Sequence, residues 1–181
     1  MYNFSRKASR ASLTRKLAAV AAASTLLGAA STAYSATANG TATASIVEAI
    51  GITSNVNLAF GSIVPDSGSV GNVVLGTDDT VNCMMVTCVP QSTTTSGSFS
   101  VTGQGNYTYA ITLPSSPVII DNSGSGGTGT MTIDTFTSNP SGTGTLSNGS
   151  QTLKVGATLS VDMNQEAGDY TGSYTVEVAY N

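Results

Sequence analysis

From Tyr170 to Asn181 the chain alternates with a period of two. Tyr170, Gly172, Tyr174, Val176, Val178 and Tyr180 share one face, and Thr171, Ser173, Thr175, Glu177, Ala179 and Asn181 share the other. A helix repeats every 3.6 residues, so this pattern is a strand laying one face on a core. Tyr170, Tyr174, Val176, Val178 and Tyr180 are the core face of the terminal strand. Leu153, Val155, Ala157, Leu159, Val161 and Met163 repeat the alternation, with Gly156 marking a bulge or bend. Tyr107, Tyr109, Ile111 and Leu113 do so again before Pro114. Shorter strands are expected at Leu58–Ile63, Val70–Leu75, Phe99–Val101, Val118–Asp121 and Met131–Phe136. Such strands, separated by Gly, Ser, Asn and Pro, predict an all-β, antiparallel sandwich or barrel. Asn122–Thr130 and Ser138–Gly149, almost pure in small polar residues, are expected as mobile loops projecting from it.

The start of the chain has a different composition. Five of its six basic residues (Arg6, Lys7, Arg10, Arg15 and Lys16) precede the apolar run Leu17–Ala30, which small residues follow. That order is a secretory signal, and the run is shorter than the ~20 residues a spanning helix needs. Cleavage is expected after Ala33 or Ala38, with Ala38 preferred. Residues 1–38 are therefore read as a signal peptide and 39–181 as one domain, exported to the periplasm, cell surface or medium, with no stable membrane insertion after cleavage.

After cleavage, Lys154 stands alone against ten acidic residues, a net charge of about −9. Such a chain cannot neutralise phosphates, which excludes nucleic acid as a partner. Histidine is absent and no arginine follows residue 15. General-base catalysis, the usual nucleophilic triads and an arginine clamp on an oxyanion are all unprovided for. A two-carboxylate hydrolase using Asp78 and Asp79, or Glu166 and Asp169, is chemically conceivable. The chain has no Trp to serve as a sugar platform. The expectation is no enzyme, no cofactor and no metal, with the carboxylates as solvated turn residues. Asp162-Met-Asn-Gln-Glu166 imitates the start of a calcium loop. Its Gly168 falls one place late, however, and position twelve is Ser173 rather than Glu.

Cys83 and Cys88 are the two cysteines. In an exported chain an even count favours a disulfide. Five residues along one straight strand would separate them by about 16 Å, whereas a bridge needs Cα atoms within about 7 Å. The segment must fold back, most simply as a hairpin with Met84–Thr87 in the turn. The alternative is a soft-metal set of Cys83, Met84, Met85 and Cys88 for copper(I).

Two further motifs carry a family resemblance. Gln165-Glu-Ala-Gly168-Asp-Tyr170-Thr-Gly172, running into the terminal strand, resembles the end of spore-coat-protein-U-like and archaic chaperone–usher pilin domains. Asn57-Leu-Ala-Phe60-Gly61 is similar to their early Leu-x-Phe-Gly motif, and Thr41–Thr53 to their N-terminal strand. An uncharacterised family of exported bacterial β-sandwich domains shares both signatures. Archaic pilins bridge a cysteine placed before Leu-x-Phe-Gly to one like Cys88, whereas here Cys83 takes that place. The resemblance implies an antiparallel immunoglobulin-like, pilin-like sandwich, copies of the chain as partners and a periplasmic chaperone.

The expected function is a non-catalytic structural subunit of a surface fibre or coat. The alternative is a secreted module binding a glycan or cation through its Gly/Ser/Asn loops. In the stretch Thr41–Thr53, Ala42, Ala44, Ile46, Ile50 and Ile52 fall on one alternating face, interrupted by Glu48. This candidate strand either closes its own domain or completes a neighbour's open sheet by strand addition.

Overall fold

The computed structural model describes residues 34–181. The basic and apolar parts of the expected signal peptide lie outside the described residues. The chain divides into two units, Met1–Thr43 and Ala44–Asn181. In the first, residues 34–43 are exposed and carry no regular secondary structure. The second is all-β, and every strand pair in it is antiparallel.

The organising element is β11 (Ser150–Val161). Its odd-numbered residues Leu153, Val155, Ala157, Leu159 and Val161 are all buried, as the alternation requires. At about 1.5–3 kcal/mol for each large aliphatic side chain, this row is the largest single apolar contribution of any strand. One edge of β11 pairs first with β6 (Gly97–Thr102) and then with β3 (Gly71–Leu75). The other edge pairs with β9 (Thr130–Asn139). The change of partner falls at Gly156, where the register with β9 also shifts. A Cβ there would lie against the Leu75 carbonyl, so the strands approach this closely only around glycine. β1 (Gly51–Val56) adds to β6, β4 (Val81–Met84) to β3, and β8 (Val118–Asp121) to β9.

Facing this sheet are two smaller ones. β10 (Thr143–Thr145), β7 (Thr108–Thr112) and β12 (Glu177–Tyr180) form the first, and β2 (Ile63–Pro65) with β5 (Val86–Cys88) forms the second. Each closes over its own half of the core. Val101, Tyr109, Leu146, Leu153, Val155 and Val176 pack beneath β7 and β12. Phe60, Val73, Leu75, Ile120, Ile133, Leu159 and Val161 pack beneath β2 and β5. Phe136 touches both clusters.

Several expectations need correcting. Ser138–Gly149 is not a free loop: it holds the end of β9 and all of β10. β10 is held by backbone pairing with β7, which needs no apolar side chain, and Gly144 leaves room for the Tyr109 ring. The cysteines do not form a simple hairpin, because β5 pairs with β2 rather than with β4. The N-terminal strand expected from Thr41 begins only at Gly51; Ala42, Ala44 and Ile46 lie outside it and are exposed. The terminal strand keeps its predicted face, with Val176 buried and Tyr170, Tyr174, Val178 and Tyr180 half-buried. Its ladder, however, covers only Glu177–Tyr180.

Candidate functional site

Between the two small sheets the second layer is open. A groove of about 1040 Å³ runs between the segment Asn57–Ile63 on one side and Gln165–Tyr174 on the other. Its floor is apolar: Phe60, Phe99, Ile120, Met131, Ile133, Leu159 and Val161 all line it.

The first lip owes its shape to Leu58-Ala-Phe60-Gly61. Ala59 exchanges two backbone hydrogen bonds with Thr95 (2.9 and 3.0 Å), and the Thr95 hydroxyl donates to the Asn57 carbonyl at 2.9 Å. Phe60 turns inward and is 8% exposed. Gly61 then bends the chain at φ +78°, a region that disfavours side chains, and a Cβ would lie 2.6 Å from Ser92 Oγ. The Leu-x-Phe-Gly motif thus builds a wall: an apolar anchor followed by a turn only glycine fits. Because Ala59 bonds outward to Thr95, strand alternation directs the backbone groups of Leu58 and Phe60 the other way. Among the described residues neither makes a backbone hydrogen bond.

The second lip is held from behind. Gln165 Nε2 donates to the Tyr170 hydroxyl (2.8 Å) and to the Thr130 carbonyl (3.2 Å), and the Tyr170 hydroxyl donates to the Glu166 carbonyl at 2.7 Å. Gln165 and Tyr170, the two ends of the Gln…Gly-x-Tyr motif, are therefore a lip-bracing pair. Asn122–Thr130, expected to project freely, is tied to this lip. Thr128 N–H donates to Glu166 Oε2 (3.2 Å) and Asp169 N–H to Ser125 Oγ (3.3 Å). Asn122 is fully buried against Gly127 and Gly168, with neither amide atom hydrogen-bonded. Beyond Thr171, which pairs with Asp121, residues 172–176 make no backbone hydrogen bond among the described residues.

Tyr174 stands where the groove meets the second core. Its ring packs edge-on against Phe99 (6.1 Å) and tilted against Phe136 (5.4 Å), and burial pushes its phenol pKa up. Burial does the same to Tyr109, whose hydroxyl donates to Gln151 Oε1 at 2.8 Å.

The remaining sequence candidates lie apart from the groove. Cys83 and Cys88 are bonded to each other with Cα atoms 6.2 Å apart, and Met85 turns the chain between them at φ 57°. The bond consumes both thiolates of the copper(I) alternative and staples β4 of the large sheet to β5 of the small one. Asp78 and Asp79 sit on the turn between β3 and β4. Hydrogen bonds from the Thr80 hydroxyl and N–H hold the Asp78 carboxyl below the usual range, and those from Ser96 do so for Asp79. Among the described residues no three His, Cys, Asp or Glu side chains converge as metal ligands. The groove itself is an apolar-floored trough between two backbone edges that are unpaired among the described residues.

A family model described as a domain of unknown function, DUF4402, matches residues 50–180. The chain belongs to the DUF4402 family. No curated protein and no solved structure matches it. The DUF4402 match takes in both lips, the floor and the disulfide, and it begins just after Ala49, leaving the exposed stretch before Ile50 outside. Sequence reasoning found the motifs of the two lips but missed the groove itself. Ile120, Ile133, Leu159 and Val161 are buried core residues that also line the groove floor, and nothing in the alternation says that a groove runs above them.

Proposed function

We propose that this protein is a non-catalytic structural subunit of an exported fibre or coat, and that copies associate by strand addition into the groove. The observation that carries this is the open seam: among the described residues Leu58, Phe60 and residues 172–174 have unbonded backbone along a groove with an apolar floor. An extended segment laid there gains main-chain hydrogen bonds on both sides and places alternate side chains on the floor.

The occupant is the segment before β1. Ala44–Ala49 have no regular structure, and Ile46 is 99% exposed. A lone large aliphatic in such a position is a side chain without a core. In strand addition its core belongs to the next copy.

Electron microscopy and sedimentation of the purified protein test the reading. Filaments or concentration-dependent oligomers are expected from the intact chain. Deletion of Asn39–Val47 should give a folded monomer that binds a synthetic peptide of that sequence. An intact chain that stays monomeric at all concentrations, or a truncated one that ignores the peptide, would refute it.

A further inference from the structure

The segment before β1 is gripped at one residue. Glu48 lies outside every strand with its side chain exposed, yet both its backbone groups are bonded. Its N–H donates to Gln104 Oε1 at 3.3 Å, and its carbonyl accepts from the Tyr180 hydroxyl at 2.8 Å. The same hydroxyl accepts the Gln104 N–H at 2.6 Å. Three residues far apart in sequence thus close a ring around one exposed backbone position. Tyr107 packs edge-on against the Tyr180 ring (5.7 Å), and Gly103 leaves the space that the hydroxyl occupies. Upstream, Ala44–Val47 make no backbone hydrogen bond among the described residues.

Position gives the ring its meaning. Gln104 follows the end of β6, and Thr102 pairs with Ser150, the first residue of β11. The groove floor runs along β11 from Phe99, which pairs with Leu153 about 10 Å from Ser150, to Leu159, about 30 Å away at 3.3 Å per residue. The arm therefore departs from one end of the domain, and the groove extends away from it towards the other.

We propose that Tyr180, acting through Gln104 and the Glu48 backbone, is the positioning residue that fixes where the donated arm begins; this rests on the strand-addition reading above. Only residues before Glu48 enter a neighbour's groove, and the Glu48 carboxylate, which would be costly on an apolar floor, stays outside it. The clamp also sets register. Thr41-Ala-Thr-Ala-Ser45 is a run of small residues with little to distinguish one two-residue slip from the next. Anchoring Glu48 holds Ile46 two residues away, within about 7 Å of the donor domain. Because the arm and the groove are different surfaces of the same chain, each junction is head-to-tail, a heterologous contact that repeats from copy to copy.

The test is Tyr180→Phe in the intact chain, which keeps the ring and removes the hydroxyl, with Gln104→Ala as a second variant. Hydrogen exchange at the Glu48 amide should rise at least about tenfold in each, while Ala179 in β12, opposite Ala110, stays protected. An Ile46→Cys arm should crosslink to one dominant partner in a cysteine scan of residues 171–175 in a second copy. In the Tyr180→Phe background the crosslinks should spread over several positions. Unchanged exchange at Glu48, or an unchanged single crosslink, overturns the clamp while leaving strand addition standing. No crosslink between copies in any background overturns strand addition, and the clamp's role with it.

Discussion

Ile46→Ala separates a side chain that belongs to its own domain from one that belongs to a neighbour. Ile46 is 99% exposed, so its truncation should change the stability of an isolated domain by no more than about 0.5 kcal/mol. In an occupied groove the same change removes three buried carbons, about 2.4 kcal/mol at ~0.8 kcal/mol each. At 1.4 kcal/mol per decade, each junction should weaken roughly fiftyfold. Ile50→Ala is the control. Ile50 is half-buried against Val101 and its cluster, so its truncation should lower monomer stability, by about 1–2 kcal/mol. Sedimentation velocity over a concentration series measures association, and denaturant midpoints at high dilution measure the monomer. If Ile46→Ala associates as tightly as the parent chain, Ile46 has no place in a junction and the assignment of the arm is refuted. A midpoint shift as large as that of Ile50→Ala would refute the premise that the monomer leaves it uncovered.

Other consequences are simpler. Val176→Asp buries an unpaired carboxylate in the second core and should cost more than about 3 kcal/mol, whereas Thr175→Asp on the exposed face should cost under about 0.5 kcal/mol; equal denaturation midpoints would contradict the register. Gly61→Ala forces a side chain to φ +78° against Ser92 and Thr94 and should destabilise by about 1–3 kcal/mol in thermal or denaturant unfolding. Intact-mass analysis should find neither Cys83 nor Cys88 alkylated before reduction. The folded Asp79 carboxyl titrates below its unfolded value because it accepts the Ser96 N–H and hydroxyl. Its contribution is therefore fully present above about pH 3.9 and is lost as pH falls through the lower folded pKa. Asp79→Asn should flatten that part of the melting-temperature profile below pH 4, measured by calorimetry.

The strands that bury one face were legible because burial leaves a period of two in the sequence. Leu153–Val161 and Val118–Asp121 appear in the structure much as the alternation implies, and Gly156 is the irregularity it suggested. What stayed hidden depends on backbone pairing rather than on side chains. β10 is Thr-Gly-Thr, and its partner β7 supplies the hydrogen bonds that hold it. Residues 170–176 have the alternation of a strand but no partner over residues 172–176, because the layer beside them is open. Side-chain pattern records which face is buried; it does not record whether both edges are paired. Glu48 was misleading for the same reason. As one letter in an alternating row it argued against a docking strand, whereas the structure holds its backbone at the domain and leaves its carboxylate exposed.

An open seam is a liability in a sandwich, since unpaired edges invite other chains. Proteins that must stay monomeric blunt such edges with lysine, proline or inward charge. The unbonded stretch of neither lip is blunted in this way. Asn57-Leu-Ala-Phe-Gly-Ser62 and Gly172-Ser-Tyr-Thr-Val176 contain no charge and no proline. The only lysine beyond residue 16 is Lys154, on β11 opposite Asn139 and Ser98. Glu166 and Asp169 line the groove at the start of the second lip, where Glu166 accepts a hydrogen bond from Thr128. The unbonded stretches that follow and face them carry no charge. Bare stretches of this kind are what the strand-addition proposal requires. The arm before Glu48 likewise carries no charged side chain from Tyr34 to Val47, so the proposed docking would bring no charged side chain onto the apolar floor.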